Sequence, residues 1–115
     1  SPLEGGWLSG KYRRGAANPK DSQRAEKWVG DIDNPKFQRR LDIVEKLLPL
    51  TRAKGVPLAR FANAWALRHP AVTSVIIGPR TLEQLEDSLQ ALDVQITGED
   101  ARQIDGLVPP GTSAL

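Results

Sequence analysis

One short run of apolar residues, Val75-Ile76-Ile77, constrains the fold of this 115-residue chain more than any other feature. Consecutive β-branched side chains predict a strand, here Thr73 to Ile77, that is covered on both faces and broken by Gly78-Pro79. No other segment of the sequence is a convincing strand. Because a lone strand cannot satisfy its own backbone donors and acceptors, its partners are expected from another chain or from sequence outside these residues.

Helical patterns lie on both sides of that strand. Apolar residues at three- and four-residue spacing predict four helices, and Pro49 is expected to kink or break the first of them. The helices are expected to begin at Asn34, Pro57, Thr81 and Thr97, with the first two running to about Lys54 and to Arg68. The apolar face of the third is expected to point inward and consists of Leu82, Leu85, Leu89 and Leu92. The order helix, strand, helix is the repeating unit of an α/β fold, so we expect the rest of the sheet to lie outside these residues.

The remaining segments are rich in glycine or polar residues. Residues 1–12 are predicted to form the end of an element followed by a glycine-rich turn. Residues 13–33 are predicted to form a long surface loop, with a short helical turn near Ala25 to Val29. The residues after Gly111 are expected to form a polar tail.

Composition excludes several classes of protein. The chain has no Cys, which rules out a disulfide scaffold and a cysteine nucleophile. Sixteen Lys and Arg against fourteen Asp and Glu give a net charge of +2, a balance that gives no support for nucleic acid binding. No apolar run is long enough to predict a membrane span, and no signal peptide is found, so a cytoplasmic location is expected. The absence of Met, with Ser1 first, predicts a processed product or a piece of a longer chain, and we expect the piece.

The residues that could carry chemistry are few. The turn from the predicted strand into the third helix carries Arg80 before a helix N-terminus, which suits an anion, although an ordinary surface loop fits these residues as well. The turn at Ser1–Gly6 with Lys11 gives a weaker signal of the same kind. His69 is expected to cap a helix end rather than to act in catalysis, and Tyr12 has no acid or base placed beside it. No spacing predicts a metal site.

Three segments together resemble the aldo-keto reductase family. The first is Ser1-Pro2-Leu3-Glu4-Gly5-Gly6-Trp7-Leu8-Ser9-Gly10-Lys11-Tyr12, similar to the family's SPL-x-x-G-x-L-x-G-K-Y segment after the seventh barrel strand. Ala62 to Trp65 resembles its A-x-A-W helix, and Val72 to Leu89 resembles the segment around the eighth strand. The resemblance covers nearly the whole chain, in order and at compatible spacing. It implies an α/β fold in which residues 1–115 are the C-terminal part of a (β/α)₈ barrel, from the end of strand seven through strand eight and the last helices.

The resemblance also implies an NADPH site and a reaction, the reduction of aldehydes or ketones by hydride transfer. Ser1, Pro2, Leu3 and Gly5 match the turn along the pyrophosphate and nicotinamide side, and Lys11 matches a cation near the cofactor phosphates. Gly78 and Arg80 match the turn that holds the 2′-phosphate. The positions that face adenosine are matched by Gln84, Asp87 and Ser88, the last of which stands where many members carry Asn.

The family's catalytic Asp, Tyr, Lys and His lie on earlier barrel strands, and no residue of this chain matches them. A barrel of this type needs about 250 residues. We therefore expect an oxidoreductase piece that binds the phosphate and adenosine end of NADPH, with the small carbonyl substrate handled by the complete enzyme. The alternative is a truncated, non-catalytic interaction module whose exposed strand edge promotes self-association.

Overall fold

The computed structural model describes residues 1–20, 22 and 25–112. This part of the chain is helical, with α1 at Gln38–Ala53, α2 at Leu58–Arg68, α3 at Leu82–Leu89 and α4 at Gly98–Leu107. Shorter helical turns lie at Glu4–Ser9, Ala25–Val29, Pro35–Phe37 and Gln90–Asp93. Residues 113–115 of the expected tail, and 21, 23 and 24 of the expected loop, lie outside the described residues. No described helix has the length and apolar character that crossing a membrane requires.

The predicted helix starts are confirmed. Asn34 is the N-cap of the Pro35–Phe37 turn that leads into α1, and its side chain accepts a hydrogen bond from the Lys36 N–H. Pro57, Thr81 and Thr97 are the N-cap residues of the next helices. The first helix runs unbroken through Pro49, so no break occurs there. It ends before Gly55, whose φ of 67° is the left-handed conformation that glycine adopts readily at a helix end.

The structure does not confirm the predicted strand at Thr73–Ile77. This run has no regular secondary structure, and no strand is formed anywhere in the described ranges. Ile76 is 90% exposed instead of being covered on both faces. The physical reason is that a strand exists through its ladder of backbone hydrogen bonds, and the described residues offer Thr73–Ile77 no neighbouring strand.

The apolar face of α3 is also more exposed than expected. Leu82 and Leu89 are exposed, Leu85 is half-buried, and Leu92, which lies in the Gln90–Asp93 turn that follows α3, is 73% exposed. The spacing of leucines correctly indicated a helix with an apolar face. It did not indicate what covers that face, and no described element covers these three leucines.

The core forms where α1 meets the N-terminal turn and α2. Trp7 is buried between Tyr12 and Phe37, with ring centroids 4.7 Å and 5.0 Å away. A second cluster of Val44, Leu47 and Leu58 joins α1 to α2. Trp65 of α2 is half-buried, and the Arg68 guanidinium lies 4.7 Å from its ring centroid.

The N-terminus of α4 is fixed by a reciprocal cap and an ion pair. Thr97 Oγ1 accepts from the Asp100 N–H at 3.1 Å, and Asp100 Oδ2 accepts from the Thr97 N–H at 2.8 Å. The same carboxylate oxygen lies 2.8 Å from Lys54 Nζ, just beyond the end of α1. Burial acts to raise the pKa of Asp100, but the hydrogen bonds from Lys54 and Thr97 outweigh it and hold this pKa below its ordinary 3.8.

We expect Asp100→Asn to lower the free energy of unfolding by about 1 to 3 kcal/mol at neutral pH, because the amide still accepts from Thr97 but leaves Lys54 without its counter-charge. A carboxylate with a lowered pKa in the folded state stabilises the fold above its unfolded pKa, and this contribution is lost as the pH falls through the folded value. Urea denaturation at about pH 7 and about pH 3 measures both effects.

The matched control is Asp105→Asn, an exposed change on the same helix, for which we expect a loss within about 0.5 kcal/mol. A difference between the native protein and Asp100→Asn that does not shrink from neutral to acidic pH would contradict this account of the Lys54 pair.

Candidate functional site

The N-terminal turn folds back on itself through glycine. The N–H groups of Gly6 and Leu8 donate to the Leu3 carbonyl at 2.8 Å and 3.1 Å, and Ser1 Oγ accepts from the Gly5 N–H at 3.4 Å. Gly5 and Gly6 have φ values of 65° and 101°, which L side chains rarely adopt. Ser1, Leu3 and Gly5, three of the predicted cofactor-binding residues, therefore belong to one closed turn.

Lys11 lies across this turn. Its Nζ donates to Ser22 Oγ at 2.9 Å and sits 5.0 Å from the centroid of the Tyr12 ring. A Cβ at Gly6 would lie 3.3 Å from Lys11 Nζ, so the bare glycine backbone provides the room that this side chain occupies. The ammonium group is held by a hydroxyl and an aromatic ring rather than by a carboxylate, which leaves its charge uncompensated by these contacts.

The segment that follows Lys11 is tied to α1. Arg13 donates from Nε and Nη2 to the two carboxylate oxygens of Glu45, at 2.8 Å and 3.0 Å, and the Arg14 N–H adds a third bond at 3.2 Å. The hydrogen bond from Arg13 holds the pKa of Glu45 below its usual value. These contacts fix the backbone on one side of Lys11.

The turn into α3 is closed by reciprocal hydrogen bonds. Thr81 Oγ1 accepts from the Gln84 N–H at 3.2 Å, and Gln84 Oε1 accepts from the Arg80 N–H at 2.9 Å. The return bond reaches the residue before the cap, one position earlier than in a standard capping box. Arg80 is exposed, and no described residue forms an ion pair or hydrogen bond with its guanidinium group.

Asp87 and Ser88 continue the same face of α3. Ser88 Oγ donates to the Gln84 carbonyl at 2.7 Å, and Asp87 Oδ1 accepts from Arg60 Nε at 3.1 Å. Sequence reasoning did not find Arg60, because its partner lies 27 residues away on another helix and no local pattern links them. It also missed Asn63, which is buried with neither amide atom hydrogen-bonded to a described residue.

The candidate residues form two groups, and each group adjoins an element that packs on α2. The Glu4–Ser9 turn and α3 both contact α2, and they do not contact each other. Ser1 and Pro2 border a largely apolar groove of about 490 Å³ between that turn, α1, α2 and α4. A smaller recess of about 230 Å³ beside Gly5 is bordered by Trp28 and Arg40. The two elements that adjoin the predicted cofactor-binding residues therefore pack on the same helix without contacting each other.

The sequence did not indicate a catalytic role for His69 or for Tyr12. His69 is exposed at the end of α2, and its Nδ1 accepts from the Ala71 N–H at 3.2 Å. The Tyr12 hydroxyl is buried with no hydrogen-bond partner among the described residues. The same ranges contain no group of three or more potential metal ligands.

We expect Gly6→Ala to destabilise the fold by about 1 to 2 kcal/mol, because a residue with a Cβ is strained in the positive-φ backbone of Gly6 and the new Cβ crowds Lys11 Nζ. The control is Gly106→Ala, inside α4 with open space around it and ordinary helical backbone, which is expected to be neutral or stabilising. Thermal unfolding compares the two variants. An equal loss in both would show that the turn does not depend on glycine at position 6.

Comparison with known proteins identifies the family. The sequence profile of the Aldo/keto reductase family matches residues 1–109. The uncharacterized oxidoreductase YrpG of Bacillus subtilis is 36% identical over 112 residues, 96% of this chain and 32% of the relative. A probable voltage-gated potassium channel subunit beta of Arabidopsis thaliana is 38% identical over 97 residues, 82% of this chain and 29% of the relative. L-glyceraldehyde 3-phosphate reductase of Escherichia coli K12 is 32% identical over 115 residues, 96% of this chain and 33% of the relative. This chain, which spans about a third of the length of these relatives, belongs to the aldo/keto reductase family.

Proposed function

We propose that this chain supplies the phosphate- and adenosine-binding part of an NADP-dependent aldo-keto reductase. In this proposal, the complete protein reduces an aldehyde or ketone by hydride transfer, and its catalytic Asp, Tyr, Lys and His lie in sequence that precedes Ser1. Membership of the family supports the reaction class. The observation that best supports a phosphate-binding role for these residues is the exposed Arg80 guanidinium at the N-terminus of α3.

The start of α3 suits a phosphate for several physical reasons. The first backbone N–H groups of a helix have no partner within it, and the helix dipole places partial positive charge there. Arg80 adds a guanidinium whose planar fork matches phosphate oxygens. The hydrogen bonds of Thr81 and Gln84 hold the turn closed, so that these donors are arranged before a ligand arrives. Gly78 has open space around it, which leaves the backbone of the turn accessible.

The N-terminal turn suits the pyrophosphate of the same cofactor. Lys11 presents a positive charge that no described carboxylate neutralises, next to the closed turn of Ser1–Gly6. The Glu4–Ser9 turn and α3, which adjoin the two groups of candidate residues, both contact α2, an arrangement compatible with one extended dinucleotide. NADPH would supply the hydride, and the residues of this chain would bind and orient its phosphates and adenosine.

Exposed apolar surface supports the view that a larger barrel surrounds this part. Ile76, Leu82, Leu89 and Leu92 are exposed together with the open groove between α1, α2 and α4. In the proposal, Thr73–Ile77 becomes the eighth barrel strand when the other strands are present, and a full barrel takes about 250 residues. The cytoplasmic location expected from the sequence stays a prediction.

The same exposed surface favours a second candidate, a non-catalytic module that associates with itself or with a partner. Sedimentation and a fluorescence titration of the isolated chain with NADPH separate the two. A folded assembly without affinity for NADPH favours the interaction module. A monomer that aggregates or loses fixed tertiary structure favours the incomplete barrel.

In the complete reductase, we expect Arg80→Ala to weaken NADPH binding by about 1 to 3 kcal/mol, the cost of losing a hydrogen bond to a charged group, and to leave NADH binding nearly unchanged. NADH lacks the 2′-phosphate that Arg80 is proposed to hold. Cofactor titration by intrinsic fluorescence measures both constants. Arg102→Ala, an exposed arginine on α4, is the matched control and should alter neither. An equal loss of NADPH and NADH binding would contradict the assignment of Arg80 to the 2′-phosphate.

A further inference from the structure

Arg60 joins α2 to α3 through a single oxygen of Asp87. Its Nε lies 3.1 Å from Oδ1, and its Nη2 donates to the same atom. The two side chains are 22% and 31% exposed, so the pair is more than two-thirds buried. No described residue donates to Asp87 Oδ2. The carboxylate is therefore fixed by one oxygen and retains the other as an acceptor.

Asp87 differs in this respect from its neighbours on the same face of α3. Asp87 and Ser88 follow Gln84 by three and four residues, the spacing that places each of them beside Gln84 on the helix surface. The Gln84 side-chain oxygen is occupied by the Arg80 N–H, and the Ser88 hydroxyl donates to the Gln84 carbonyl. Asp87 Oδ2 thus remains the strong acceptor on this face, suited to a ribose hydroxyl or an adenine amino group.

An unpaired carboxylate at this position would oppose the binding of a phosphate at Arg80. Asp87 follows Leu82, the first residue of α3, by five residues, which corresponds to about 8 Å along the helix axis. At that distance a negative charge repels a phosphate dianion, and it does so more strongly in a partly buried site than in water. The guanidinium of Arg60 offsets this charge while leaving Oδ2 available.

We propose that Arg60 is a positioning residue that sets the preference for NADPH, because it neutralises the charge of Asp87 beside the 2′-phosphate. This inference rests on the function proposed above. It predicts an effect that a purely structural link between α2 and α3 would not have. Loss of Arg60 should affect the cofactor with a 2′-phosphate far more than the cofactor without it, and only while Asp87 carries a charge.

The test is a double-mutant cycle in the complete reductase, with Kd values for NADPH and NADH from fluorescence titration. Arg60→Ala is expected to raise the Kd of NADPH about tenfold and that of NADH no more than about twofold. In the Asp87→Asn background, where no carboxylate is left to repel the phosphate, Arg60→Ala is expected to change the ratio of the two Kd values by less than about twofold. Arg102→Ala, which removes an exposed arginine paired with Glu99, is the control and should leave the ratio unchanged.

Equal increases for NADPH and NADH, or the same increase in the Asp87→Asn background, would overturn the role of Arg60 and leave only a structural contact. Arg80→Ala measured in parallel separates this failure from that of the proposed function. If Arg80→Ala selectively weakens NADPH and Arg60→Ala does not, only the inference about Arg60 is lost. If neither variant weakens NADPH, both the inference and the assignment of the phosphate site are lost.

Discussion

The packing of other elements on α2 is the constraint on which the arrangement of this chain depends. The Glu4–Ser9 turn, α1, α3 and the Gln90–Asp93 turn all contact this one helix. Its buried face combines Leu58 and Phe61, which fill space, with Ala62 and Ala64, whose small side chains let neighbouring backbones approach. Two segments that are distant in sequence are therefore held on one support, and this is what makes a single extended binding site physically reasonable.

The unpaired run at Thr73–Ile77 and the exposed leucines of α3 have one explanation in the proposed barrel. In an α/β fold, a strand needs adjacent strands to pair its backbone hydrogen-bonding groups. An amphipathic helix needs the sheet to cover its apolar face. The chain spans about a third of the length of its relatives, and the surface that those neighbours would cover is the surface that is exposed. The turn into α3 does not share this incompleteness, since its cap and return bond come from Thr81 and Gln84.

Features that depend on residues within one helical turn of each other were predictable from the sequence. The helix starts at Asn34, Thr81 and Thr97 were predicted because a short polar side chain stands before an apolar periodic run at each of them. The apolar face of α3 was identified as well, but its burial was not, since periodicity says which side of a helix is apolar and not what lies against it.

Contacts between distant parts of the chain could not be predicted in this way. The pairs Lys11–Ser22, Lys54–Asp100 and Arg60–Asp87 join residues from different elements, and opposite charge or polarity alone leaves many possible partners in a chain with thirty charged residues. For Asp87 the family resemblance indicated adenosine, whereas its hydrogen-bond partner in the structure is Arg60.

Hydrogen exchange of the complete reductase tests most directly whether this part of the protein holds the phosphate and adenosine end of the cofactor. If it does, saturating NADP⁺ should slow exchange of the backbone amides of Arg80 to Gln84 and of the Ser1–Lys11 turn, and saturating NAD⁺ should protect the α3 amides distinctly less. Protection confined to other parts of the protein, or equal protection of the Arg80–Gln84 amides by the two cofactors, would contradict the account.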